Sequence, residues 1–282
     1  MKELGKLFVR DPSQRFFLRR LFFYGTHFRC PVCENRLRKL SPTGEAFPVL
    51  KELDVVGGEY FPNDRCPVCR SDFRARLVHQ FLVREVLSDR HEPLRILHFA
   101  PEHGIFRYLS SRPRTEYLTA DLDPARYTFA KHTIRATLTE IPFPDAAFDL
   151  VICNHVLEHV PDDRLAMREI LRVLKPGGRA ILQVPLSMKR DVTDEDPGLE
   201  TDAERERRFG QYDHVRLYGA DYFDRLEAAG FSVEVFDPLA SWGPDVVKSN
   251  RLNPREKVFC VRRPLHTVAE PDARHAERTL NA

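Results

Sequence analysis

Several things are missing from this 282-residue chain, and each absence narrows what it can be. No apolar run approaches the roughly 18–20 residues that a membrane span requires. The opening stretch "MKELGKLFVRDPSQRFFLRRLFFYG" interrupts its apolar residues with charges every few positions, so it lacks the apolar core of a secretory signal. Internal repeats are absent. These absences make the cytoplasm the expected location.

The most informative absence is glycine in one loop. In "LRILHFAPEHG", residues 94–104, an apolar run ends where a doubly wound fold usually carries a glycine-rich cofactor loop, yet only Gly104 is present. A pyrophosphate needs a cradle of backbone N–H groups; Pro101 has none, and Ala100 is expected to resist positive φ. NAD and FAD are therefore disfavoured. S-adenosylmethionine has no phosphate and carries an ammonium and a sulfonium. Glu102 could pair with the ammonium, and Gly104 would permit close approach.

What is present is an ordinary globular composition, 42% hydrophobic, with a net charge of +2 that hides an asymmetry. Residues 1–90 carry 17 Lys+Arg against 11 Asp+Glu, and the remainder carries 27 against 31. A basic front end suits a phosphate-bearing partner or an anionic membrane surface, and equally a solvated helix face beside a basic metal module.

The chain divides into five parts. Residues 1–29 read as a basic amphipathic helix, in which Phe8, Phe16, Phe17, Leu21 and Phe22 alternate with Arg10, Arg15, Arg19 and Arg20. Packing on the main domain and peripheral membrane contact are both open to it. Residues 30–70 hold paired cysteines, and residues 71–93 have the spacing of a connecting helix. Residues 94–264 alternate strand and helix patterns: strands at "LRILHF", "EYLTADL", "FDLVICN", "RAILQVPL", "FSVEVFD" and "EKVFCVRR", with helices at "GIFRYLSS", "DRLAMREILRVL" and "GADYFDRLEAAG". "KPGG" is expected to stop the second helix. That alternation predicts an α/β, doubly wound, Rossmann-like parallel sheet, and the last two strands, joined without a helical pattern, an antiparallel hairpin at one edge. Residues 265–282 read as a flexible tail.

"CPVC" occurs twice, at Cys30/Cys33 and Cys66/Cys69. Two such turns facing each other supply the four thiolates that zinc takes in a closed structural site, which makes this segment a candidate zinc ribbon. Disulfides and a redox pair are the competing readings. Cys153 and Cys260 lie in strand-like runs and read as buried thiols.

Three strand ends converge on the expected crevice: the loop from His98 to Gly104, Asp121 about 20 residues on, and "CNHVLEHV". The block "EIPFPDAAFDLVICNHVLEHVPDDRLAMREILRVLKPGGRAILQVPL" resembles class I S-adenosylmethionine-dependent methyltransferases of the methyltransferase-11 type, and the resemblance covers residues 94–263. The chain is also similar to a bacterial subgroup that joins a "CPVC" zinc module to an "LHFAPE" loop and a "GQYDHVRLYG" segment. The resemblance implies that Ala100, Glu102 and Gly104 wrap the methionine part, with His98 where the family often has an acid. It implies Asp121 on the ribose, Thr137 and Leu138 flanking adenine, and Asn154 and His155 beside the sulfonium.

Methyl transfer needs alignment, exclusion of water and, for some acceptors, a base. His155 is the preferred catalytic histidine and His214 the second, with Glu158 and His159 also in range. A helix through "NHVLEHV" would set His155 and His159 on one face. The long segment after "RAILQVPL" reads as a lid in which Asp213, His214, Arg216 and Tyr218 converge on substrate, or as a solvated helix and packed turn. The leading function is methylation of a small-molecule or sugar acceptor. RNA methylation with the zinc ribbon gripping phosphates is the second reading, and a methyltransferase-fold adaptor without catalysis is the third.

Overall fold

The computed structural model describes residues 12–88, 92–196 and 198–265. Its centre is a sheet of β1 (Leu94–Phe99), β2 (Thr115–Asp121), β3 (Ile134–Arg135), β4 (Phe148–Asn154), β5 (Leu174–Gln183), β6 (Ser232–Phe236) and β7 (Val258–Arg262). The order across it is β6-β7-β5-β4-β1-β2-β3. The pairs from β5 to β3 are parallel, while β7 runs antiparallel to both β5 and β6. This is a Rossmann-like mixed sheet of seven strands with its reversed pair at one edge.

The strand sequences read as continuous apolar runs because both faces of the sheet are covered. Along β4, Val151 and Cys153 enter one layer and Leu150 and Ile152 the other, as a period of two requires. The first layer is filled by α3 (Asp163–Val173) and α5 (Tyr222–Ala228), through Met167, Ile170, Val173, Tyr222 and Leu226. The second is filled by α1 (Phe73–Phe81) and α2 (His103–Ser110), through Leu77, Val78, Phe81, Ile105 and Leu109. Each fully buried aliphatic side chain contributes about 1.5–3 kcal/mol. Helix α3 starts at Asp162, whose carboxylate accepts from the Leu165 amide at 2.8 Å.

The structure departs from the sequence expectations in four places. "KPGG" does not lie outside the strand; β5 begins at Leu174 and absorbs Gly177 and Gly178 as an irregularity between Leu174 and Arg179. A Cβ at Gly178 would lie 2.8 Å from the Lys175 carbonyl oxygen, so the chain can double back there only without a side chain. The final strand pair is joined by two short helices, Pro238–Trp242 and Pro244–Ser249, rather than by a non-helical link. Strand β3, only two residues long, carries no pattern that a sequence window can register.

The fourth departure is N-terminal. The helix expected over residues 1–29 spans Pro12–Phe22, and Tyr24–Arg29 instead forms a strand paired with Arg36–Leu37 across the first cysteine turn. Residues 1–11 of that expectation, and the tail expected beyond Leu265, lie outside the described residues. Phe16 and Phe23 pack against the cysteine cluster, while Phe17, Leu18, Leu21 and Phe22 are exposed.

The cysteine-bearing segment is joined to the sheet. A second ribbon pairs Ser41–Thr43 with Phe61–Arg65, and Val55–Val56 pairs antiparallel with Leu186–Ser187, just past the end of β5. The loop carrying residues 44–59 is thereby drawn over the carboxyl edge of the sheet. Helix α4 (Asp202–Phe209) flanks the same edge; it is opened by a reciprocal Thr201–Glu204 capping box and closed by Gly210 at φ +80°.

Candidate active site

The loop after β1 places Glu102 between two donors. His98, with no exposed surface, lies with Nε2 2.7 Å from Glu102 Oε2 and Nδ1 2.8 Å from the Tyr117 hydroxyl. An ionised carboxylate only accepts, so Nε2 donates to Glu102 and Nδ1 accepts from Tyr117. Asn154 Nδ2, from the end of β4, donates to Glu102 Oε1 at 3.0 Å. Burial opposes ionisation of Glu102, but the His98 and Asn154 hydrogen bonds outweigh it and hold the carboxyl below its usual range. Asn154 is 6% exposed, and its Oδ1 has no hydrogen-bond partner. An anchored carboxylate beside an unpaired carbonyl oxygen fits a cationic donor such as an ammonium, the chemistry that the methionine end of S-adenosylmethionine presents.

Two expectations for this loop need correction. Ala100 does not resist positive φ; it sits at +50°, a conformation that costs a non-glycine residue of order 1 kcal/mol and is held by the hydrogen bond that its N–H donates to the Ala120 carbonyl at 3.0 Å. Gly104 does allow close approach, but the atoms that approach come from the cysteine module. A Cβ there would lie 2.2 Å from Ser71 Oγ and 2.8 Å from Val32 Cγ1. His103 Nδ1 adds a contact to the Cys69 carbonyl at 3.2 Å. His98 has no surface of its own in the crevice and reaches it through Glu102.

Asp121 ends β2, its Oδ1 accepting from the Asp123 amide at 2.7 Å and its Oδ2 from the Tyr127 hydroxyl at 2.8 Å. Each oxygen keeps a lone pair for a further donor. Thr137 follows β3 and bonds locally to Thr139, while the Leu138 side chain is 3% exposed within the core. Ala100, Glu102 and Asn154 are thus brought together, with Asp121, Thr137 and Leu138 farther along the same strand-end edge.

On the other side of Asn154 the edge becomes a cavity of about 210 Å³, lined by His155, Glu158, His159, His214, Arg74, Glu45 and the 210–211 turn among others. His155 does not begin a helix. It takes φ +54°, and only Leu157–His159 turn, as one 3₁₀ loop. Its Nδ1 is 3.5 Å from Glu158 Oε1, and neither ring nitrogen has a hydrogen-bond partner. Glu158 is 1% exposed; burial works against its charge, but the surrounding histidines outweigh it and hold the carboxyl down at about 2. Burial pushes His214 down to about 4, so its ring is neutral at pH 7.

The segment from Asp213 to Tyr218 divides between cavity and scaffold. His214 and the backbone of Asp213 face the histidine cluster, whereas Arg216 is buried and donates to the carbonyls of Leu157 at 2.9 Å, Pro161 at 2.8 Å, and Val160. Tyr218 donates to Asp163 at 2.8 Å. These two residues moor the histidine-bearing loop rather than line the cavity.

Sequence reasoning missed Arg74 and Glu256. Arg74, from α1, donates to the Gly57 carbonyl at 2.8 Å and to Asp72 at 3.2 Å. Glu256 precedes β7, is 3% exposed, and its Oε2 has no partner. Burial and the Glu59 carboxylate push it up to about 8. It meets His155 over Gly57: a Cβ on that glycine would lie 3.4 Å from both Glu256 Oε1 and His155 Cε1. Nothing in "NPREKVFC" signals burial, because the flanking Arg255 and Lys257 read as a surface.

The four CPVC sulfurs lie within 4.8 Å of one another, with Cys30–Cys69 at 3.7 Å and Cys33–Cys66 at 3.8 Å, and all six cysteines are unbridged. A tetrahedron with Zn–S bonds of about 2.3 Å has edges of about 3.8 Å. Disulfide sulfurs would be about 2.05 Å apart. The donor set fits zinc.

Residues 103–182 match the model of the Methyltransf_11 family, a methyltransferase domain. Over 107 residues the chain is 35% identical to 27-O-demethylrifamycin SV methyltransferase of Amycolatopsis mediterranei (strain S699), a match covering 38% of each protein. Over 51 residues it is 43% identical to the ubiquinone/menaquinone biosynthesis C-methyltransferase UbiE of Vibrio vulnificus, covering 18% of this chain and 20% of that one. The chain thus spans well under half the length of the curated relatives it matches. A crystal structure of an S-adenosylmethionine-dependent methyltransferase from Mesorhizobium loti aligns at TM-score 0.47 and 19% identity, covering 68% of this chain and 99% of that one. The matched segment and the sheet order together support a class I, S-adenosylmethionine-dependent methyltransferase domain. Among the described residues no helix is long and apolar enough to cross a membrane.

Proposed function

We propose that this protein transfers a methyl group from S-adenosylmethionine to a small-molecule or sugar acceptor bound in the cavity beside His155. The observation that carries this reading is the Glu102–Asn154 pair, an anchored carboxylate and an unpaired carbonyl oxygen at adjacent strand ends. Glu102 and Asn154 Oδ1 hold the ammonium, Asp121 the ribose hydroxyls, and Thr137 with the Leu138 backbone flanks adenine. When bound, the sulfonium supplies an activated methyl carbon; an acceptor lone pair displaces it, and the C–S electron pair stays on sulfur in S-adenosylhomocysteine. His155, its Nδ1 3.5 Å from Glu158 and its Nε2 without a hydrogen-bond partner, takes the acceptor proton where one is lost, and His214 forms the far wall.

Zinc in the Cys30/Cys33/Cys66/Cys69 site is structural in this reading: four thiolates fill the coordination shell and leave no open position. The module's loop covers the acceptor cavity, and a space of about 210 Å³ suits a small acceptor better than RNA. The protein works in the cytoplasm.

The test is calorimetric titration of the zinc-loaded protein with S-adenosylmethionine and S-adenosylhomocysteine. Binding of either is expected. Glu102→Gln removes a charge-assisted contact of about 1.5–3 kcal/mol and weakens S-adenosylmethionine by about 10- to 100-fold. Asp121→Ala weakens both ligands without unfolding the domain. A folded protein silent to both ligands, or a Glu102→Gln variant of unchanged affinity, overturns the reading.

A further inference from the structure

The acceptor cavity contains a cluster that methyl transfer by itself does not require. Glu158, His159 and His214 each present a ligand atom, and these atoms lie within 4.8 Å of one another. Ligand atoms ~2.1 Å from one tetrahedral ion lie ~3.4 Å apart, so the side chains need to close on one another by no more than ~1.4 Å. Two of the three are nine-tenths buried or more and incompletely satisfied: Glu158 Oε2 at 1% residue exposure and His214 Nδ1 at 5%. A buried polar atom left unpaired costs about 1–3 kcal/mol, and here both unpaired atoms belong to one cluster beside one cavity.

The third ligand is oriented as metal-binding imidazoles are. His159 Nδ1 lies 3.1 Å from the Asp213 carbonyl oxygen and 3.4 Å from Asp213 Oδ2, which leaves Nε2 free to coordinate. The loop that carries Glu158 and His159 is fixed from below by the three Arg216 hydrogen bonds. The cation facing the cavity, Arg74, is already paired with Asp72 at 3.2 Å. Two imidazoles and one carboxylate form the set that holds divalent transition metals with positions left open for substrate.

We propose that Glu158, His159 and His214 bind a divalent transition-metal ion, distinct from any ion in the four-cysteine site, with its open coordination positions turned into the acceptor cavity. The site stands on the cluster itself. Its role rests on the proposed methyl transfer: the ion would take an acceptor oxygen, such as a hydroxyl, fix its direction and lower its pKa, and His155 beside it, whose Nε2 has no hydrogen-bond partner, receives the proton.

The experiment adds Co2+ to the zinc-loaded protein without S-adenosylmethionine and follows visible absorption and metal content, so its outcome is independent of cofactor binding. The expected result is one extra equivalent per chain with weak ligand-field bands and no thiolate charge-transfer band. Glu158→Gln and the partly exposed His159→Ala each weaken that equivalent by about 100-fold, with the four-cysteine zinc retained. Circular dichroism melts confirm folding, and His159→Ala carries the test if Glu158→Gln unfolds. The proposal is overturned if cobalt enters only the thiolate site, if no extra equivalent binds, or if the folded variants keep wild-type affinity.

Discussion

Gly104→Ala separates two roles that one glycine could play in a cofactor loop. The position lies in α2 with a helical backbone, so the substitution costs no backbone strain and gains about 1 kcal/mol of helix propensity. The cost is packing. The new methyl group would meet Ser71 Oγ at 2.2 Å and Val32 Cγ1 at 2.8 Å. Ser71 is 2% exposed, its hydroxyl lies 3.3 Å from Cys69 Sγ, and its carbonyl accepts from the Cys66 amide at 2.9 Å. It cannot move far without disturbing the cysteine cluster. Overpacking of this kind costs about 1–3 kcal/mol, leaving a net loss of up to about 2 kcal/mol and a melting temperature lowered by up to ~8 °C. Thermal melts of Gly104→Ala, Ser71→Ala and the double variant measure it. Ser71→Ala removes the closest atom and leaves a Cβ at an ordinary 3.6 Å, so the pair should couple by at least about 0.5 kcal/mol. If stability is unchanged, the residues do not couple, and only S-adenosylmethionine affinity falls, then Gly104 serves the cofactor and the docking argument is wrong.

Cys66→Ser should remove zinc from the four-sulfur site and destabilise the chain by several kcal/mol, since structural zinc contributes ~10–16 kcal/mol in small fingers; full zinc content with an unshifted melting point would contradict the site. Arg216→Ala removes the guanidinium that ties the Leu157, Val160 and Pro161 carbonyls together and faces the buried Asp163 carboxylate at 3.7 Å, and should cost about 3–5 kcal/mol, with the histidine loop loosened; a loss below 1 kcal/mol in denaturant unfolding would show that the loop holds itself. His79, 5% exposed, is pushed by burial from 6.5 to about 4. At this position the unfolded chain therefore binds more protons between those values, so the share of stability linked to His79 is full above pH 6.5 and falls as pH drops towards 4, by about 3 kcal/mol in total. His79→Gln should flatten that limb in urea titrations across the window, and an unchanged pH slope would show that the ring is not the source.

The sheet was legible because parallel strands covered on both faces leave continuous apolar runs, and β1, β4 and α3 fall within a residue of where their patterns place them. The cysteine cluster was legible because Cys-x-x-Cys fixes two sulfurs locally, whatever surrounds them. Glu102, Asp121 and Asn154 were legible as strand-end residues, since topology alone sends those ends to the crevice.

What the sequence could not supply was which distant segment fills the space beside each of these. The space beside Gly104 is taken by Ser71 and Val32, 33 and 72 positions away in the chain. Glu256 looks like a surface residue until Gly57 and His155 close over it. His155 and His159 share a helical spacing, yet a φ of +54° at His155 aims its ring independently of that period. Charge, period and spacing are local properties that a linear chain records. Burial, an unpaired lone pair and a steric limit arise only when remote segments meet, and in this protein those meetings make the cavity beside His155.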